Sequence, residues 1–115
     1  MKKLLLIPML ALLVGCASFS TQVFRTEQTA VTLAYSGYVG WTNYMAQFPQ
    51  RVTPQASNEV KQARLRFAAT VATVESMRQS YETNSAFKAP IEAGLQTMIE
   101  QSTNMLWLIN YWRAQ

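Results

Sequence analysis

VTLAYSGYVGWTNYMAQF, residues 31–48, is the stretch that decides the fold. Its apolar positions Val31, Ala34, Tyr38, Trp41, Met45 and Phe48 recur in alternating steps of three and four. That spacing keeps one face of an α-helix apolar and is incompatible with the strict alternation of a strand. The pattern stops at FPQRVTP, residues 48–54, where two prolines five residues apart cannot continue a helix. Thr53-Pro54 then offers an N-cap followed by a proline at the first helical position.

Working outward, the same spacing returns twice. Val60, Ala63, Phe67, Thr70, Val74, Met77 and Tyr81 form a second seam, ended by the polar turn formers and proline of ETNSAFKAP, residues 82–90. Ile91, Leu95, Met98, Ser102, Met105, Ile109 and Trp112 form a third. Helices of about 24 to 30 residues, each roughly 35 to 45 Å long, are expected. Three of them joined by short connections predict an all-α, antiparallel up-down-up three-helix bundle over residues 23–115.

The N-terminus reads differently. MKKLLLIPMLALLVGC, residues 1–16, places Lys2 and Lys3 before an apolar stretch over residues 4–14. Eleven positions fall short of the about twenty that span the hydrocarbon of a bilayer. The arrangement is that of a signal peptide. Its end, Leu13-Val14-Gly15-Cys16, resembles the lipobox of bacterial lipoproteins. The resemblance covers only this leader. It implies cleavage after residue 15, acylation of Cys16, and attachment of the mature chain to a membrane through those acyl chains. Two or more chains hold firmly where one binds marginally. Residues 16–22 would then be a lipidated N-terminus and spacer. Ala17, in place of the Asp that favours inner-membrane retention, points to the periplasmic face of the outer membrane in a Gram-negative host.

Composition narrows the chemistry. There is no His, there is one Cys, and all six acidic residues are Glu. This inventory offers no Ser-His-Asp or Cys-His arrangement, no His-containing zinc site and no intramolecular disulfide. Neither enzyme activity nor a metal nor another cofactor is expected. Removing Lys2 and Lys3 from the ten basic residues leaves eight against six acidic ones, a balance that does not point to nucleic acid.

Among the carboxylates, Glu75, Glu82, Glu92 and Glu100 fall beside the seams and read as solvated. Glu27 instead takes a seam position, seven before Ala34. Pairing the first two helices about Arg51 sets Glu27 opposite Glu75 and near Arg78, so a Glu27–Arg78 pair that fixes register is expected. Gly37 and Gly40 suit close helix approach or a bend. Met45, Met77, Met98 and Met105 lie on seams and read as core.

Trp107 and Tyr111, spaced i,i+4, lie off the third seam, and Leu65 lies off the second. With Arg64 and Arg66 they gather toward the bundle end remote from Cys16. Trp, Tyr and Arg are the residues that dominate protein contacts. A rotated third helix would instead bury Trp107, and both readings stand. The expected function is a non-catalytic binding or structural module of the cell envelope. Its protein partner would engage the membrane-distal end, or copies of the bundle would associate. A carrier of hydrophobic ligands or lipid, and a phage or mobile-element lipoprotein that modifies an envelope receptor, are the alternatives.

Overall fold

A computed structural model describes the backbone of residues 16–115 and the side chains from residue 19 onward. The leader residues Leu13, Val14 and Gly15 and the thiol of Cys16 therefore lie outside what is described. Helix α1 spans Cys16–Gln47, α2 Pro54–Tyr81 and α3 Lys88–Arg113. Single 3-10 turns at Pro49–Arg51 and Ser85–Phe87 connect them, and no strand occurs among the described residues. The chain is all-α.

The boundaries follow local chemistry. Phe48 N–H closes the last turn of α1 on the Tyr44 carbonyl at 2.8 Å before Pro49 ends it. Thr53 caps α2, its hydroxyl accepting from the Ala56 N–H at 3.1 Å. The amides of Thr83 and Asn84 donate back to Ser80 at the end of α2, and the Asn84 side chain accepts from Ala86 N–H at 3.0 Å. Pro90 falls within the first turn of α3, where its missing N–H has no intrahelical partner to lose. Residues 16–22, expected as a spacer, belong to α1, and Phe19 packs on the Tyr81 ring with centroids 5.0 Å apart.

The core lies along α3. Ile91, Met98, Ser102, Met105 and Ile109 are all buried, as the third seam requires. Val60, Ala63, Phe67 and Val74 do the same for α2. Both α1 and α2 pack along α3, and they touch each other sparingly. This explains a departure in α1. Its buried line runs through Val23, Glu27, Ala30, Ala34, Trp41 and Tyr44, whereas Val31, expected on the seam, is exposed. The stripe turns toward α3 because α2 does not close over it.

Two glycines allow that close packing. A Cβ on Gly94 of α3 would stand 2.6 Å from Val74 Cγ2 of α2. A Cβ on Gly37 of α1 would run onto Leu106 Cδ2 of α3. Val74 is fully buried and β-branched, so it cannot swing aside, whereas the leucine tip can turn. Gly40 is different. Its Cβ would meet only Arg113 Nη1, at 3.9 Å, so close approach does not explain it.

These contacts predict opposite outcomes for two identical substitutions. Gly94→Ala should destabilise the protein by about 1–3 kcal/mol through overpacking. Gly40→Ala should stabilise it by about 0.5–1 kcal/mol through helix propensity. Thermal or urea unfolding of the two variants checks both signs.

Candidate functional site

Three places bring together side chains that a bare bundle does not need. The first is the outer face of α3. Four residues apart on a helix places Trp107 over Tyr111, and their rings stack with centroids 5.4 Å apart and planes 16° from parallel. Trp107 is 60% exposed and Tyr111 44%. Of the two readings of Trp107, the outward one holds. Trp112 turns the other way. It meets Tyr111 edge-on at 5.1 Å and donates its indole N–H to Glu59 Oε2 of α2 at 3.0 Å. The pair is thus braced from beneath by a side chain tied across two helices.

The other candidate contact residues do not share one direction. Arg64, Leu65 and Arg66 are consecutive, so α2 turns each about 100° from the last. Arg64 leans toward α1, its guanidinium 5.0 Å from the Tyr38 ring centroid. Leu65 is 42% exposed, and Arg66 is exposed. Trp107 and Tyr111 are joined by direct contact, whereas Arg64 is turned to the α1 side of α2.

The second place is a polar knot between α1 and α2. Glu27 is buried at 4% exposure. Arg78 does not pair with it directly. Its Nη2 instead donates to Glu75 Oε2 at 2.8 Å, and its guanidinium lies 5.5 Å from the Phe24 ring centroid. Glu75, expected to be solvated, is half-buried and forms the bridge between the other two. Burial pushes the Glu27 carboxyl up from its ordinary 4.5 to about 7, reinforced by its hydrogen bond to Glu75 and that neighbour's charge, with Arg78 pulling weakly down. The Glu75 carboxyl moves down, chiefly because Glu27 donates to it and then because Arg78 does. In mild acid Glu27 therefore keeps its proton beside an ionised Glu75, which accepts from Arg78. Glu27 Oε2 is left without a partner.

The third place is the gap left where α1 and α2 fail to meet. An apolar groove of about 360 Å³ opens there, with Arg64 among its walls. Sequence inspection missed it, although Val31, Tyr35 and Tyr38 form a helical stripe that widens the apolar face of α1. Tyr44 was also missed. It lies off the first seam yet is buried between Trp41 and Phe48, with Arg113 5.4 Å over its ring.

Among the described residues, no three His, Cys, Asp or Glu side chains gather as metal ligands, and no helix is long and apolar enough to cross a membrane. No protein-family model, curated protein or solved structure matches the chain.

The knot makes stability depend on pH with a definite sign. Between pH 4.5 and about 7 the unfolded Glu27 has lost its proton and the folded one retains it, so stability falls as pH rises through that interval. Glu75, shifted down, adds stability above its ordinary value that is lost as pH falls below it. The unfolding free energy from urea titrations should therefore peak in mild acid and drop by roughly 2 kcal/mol on approach to neutrality. Glu27→Gln, which mimics the protonated acid, should flatten that drop.

Proposed function

We propose that this chain is a lipid-anchored protein of the cell envelope that acts by binding, not by catalysis. Cys16 is the first residue of the mature protein in this reading, and its acyl chains hold the molecule at the membrane. The periplasmic face of the outer membrane is the destination in a Gram-negative host. The carrying observation is the stacked, outward-facing Trp107–Tyr111 pair. A folded monomer has no internal use for two aromatic rings stacked on its outer face, and such rings are favoured as anchors in protein contacts.

The helices run up, down and up, each antiparallel to the next. Supporting this are the ordered contacts Phe19–Tyr81, Phe24–Arg78 and Tyr38–Arg64 between α1 and α2. Gly94 beside Val74, and Trp112 bonded to Glu59, support the same order between α3 and α2. In that arrangement α1 leads away from the membrane and the C-terminal turns of α3 stand at the distal end. Trp107 and Tyr111 are then presented to a protein partner across the envelope, with Leu65 and Arg66 at the same level of the bundle. Tethering raises local concentration, so a weak contact suffices.

The test uses the full chain in its own envelope. Cys16→Ser should abolish incorporation of labelled palmitate and release the protein from the membrane fraction. Trp107→Ala/Tyr111→Ala should lower partner capture by crosslinking at least about tenfold, while unfolding stays within about 1 kcal/mol of the parent. An acylated double variant that captures the same partner equally well would overturn the assignment of the aromatic pair.

A further inference from the structure

The groove between α1 and α2 has a chemistry separate from the aromatic face. Its walls include Val31 and Tyr35 from α1 and Phe67 and Val71 from α2, with Met105 of α3 among the lining residues. Val31 and Tyr35 are 37% and 69% exposed, leaving apolar surface in water that a guest would cover. At one end stands Arg64. Its guanidinium rests on Tyr38 at 5.0 Å, and its Nε is buried with no hydrogen-bond partner.

The contrast with Arg78 is informative. Both arginines lie on α2 and both rest on an aromatic ring of α1. Arg78 has the carboxylate of Glu75 at 2.8 Å; Arg64 has no ion-pair partner among the described residues. A planar guanidinium beside an apolar channel offers a fork of donors that matches a carboxylate. Both arginines have a buried Nε without a partner, so what distinguishes Arg64 is the carboxylate that Arg78 has and it lacks.

The groove holds about 360 Å³. An extended alkyl chain is narrow enough to lie within it, and the volume falls in the range of small-ligand sites. We propose that this groove binds a single-chain carboxylate amphiphile, a free fatty acid. Its alkyl chain lies along Val31, Tyr35, Phe67 and Val71, and its carboxylate sits on Arg64. The assignment rests on the groove and does not depend on the partner-binding role of Trp107 and Tyr111.

Photoreactive dodecanoate and dodecanol, each with a diazirine at the end of the chain, test it on the full chain in phosphatidylcholine vesicles. At about pH 8.5 the free carboxylate is ionised. With the head on Arg64, the diazirine should label the segments around Val31 and Val71. The acid should label them about tenfold more than the alcohol, normalised to vesicle-bound probe. Arg64→Met, which keeps the apolar stem, should bring the acid down to the level of the alcohol and leave the alcohol unchanged. Ala68→Phe, at an exposed position beside the groove, should remove both signals. Circular dichroism confirms that each variant is folded, and Ala68→Leu replaces any Phe variant that is not.

Equal labelling by acid and alcohol in the parent would overturn the proposal. So would labelling spread over exposed aromatics such as Trp107, or labelling that neither folded variant changes. A dimer in detergent that Ala68→Phe converts to monomer would assign the groove to a second copy of this chain instead.

Discussion

The structure depends on how closely α3 is approached from both sides. Gly94 lets the backbone of α3 come against Val74 of α2, and Gly37 lets α1 come against Leu106 of α3. Those approaches bury Met98, Ser102 and Met105 almost completely. They also commit α1 and α2 to the same central helix. In this chain α1 and α2 meet each other far less than either meets α3, so their facing sides remain partly open. The groove and the exposure of Val31 lie on that open side.

The seam between α1 and α2 is held by a mixture of rings and charged groups, beginning with Phe19 on Tyr81. In the first half of α1, buried Glu27 lies beside the Glu75–Arg78 ion pair, with Phe24 beneath the guanidinium. Farther along, Tyr38 meets Arg64. A buried glutamate with one unmet oxygen is costly and contributes little net stability. Its use is register, because sliding α1 along α2 would separate Glu27 from its acceptor. Specific pairing of this kind holds two helices in place where close packing does not.

Much of this was legible in the sequence, and the failures share a cause. The second and third seams match the buried residues closely because α2 and α3 each bury a single well-defined stripe. The breaks at Pro49 and residues 82–87, and the Thr53 cap, rest on local chemistry that no tertiary contact overrides. In α1 the three-four pattern had two apolar solutions side by side. One runs through Ala30, Ala34 and Trp41 to α3, the other through Val31, Tyr35 and Tyr38 to the groove. Spacing alone cannot choose between them; the choice is made by which neighbour comes closer. Glu75 was misread for the same reason, since its half-burial comes from α1 and not from its own helix. Trp107 was ambiguous in sequence because a modest rotation of α3 separates core from surface. Glu59 removes that freedom by bonding Trp112.

The proposed tether, aromatic face and groove therefore hang on one frame, with α3 as its spine. Native-state amide hydrogen exchange tests that frame most directly. If α3 is the element gripped from both sides, the amides of Met98, Ser102 and Met105 exchange slowest in the molecule and only through global unfolding. Those of Val31, Tyr35 and Val39, on the half-covered helix, exchange sooner through partial opening. Exchange at Met98 and Met105 as fast as at Val31 and Tyr35 would contradict the account.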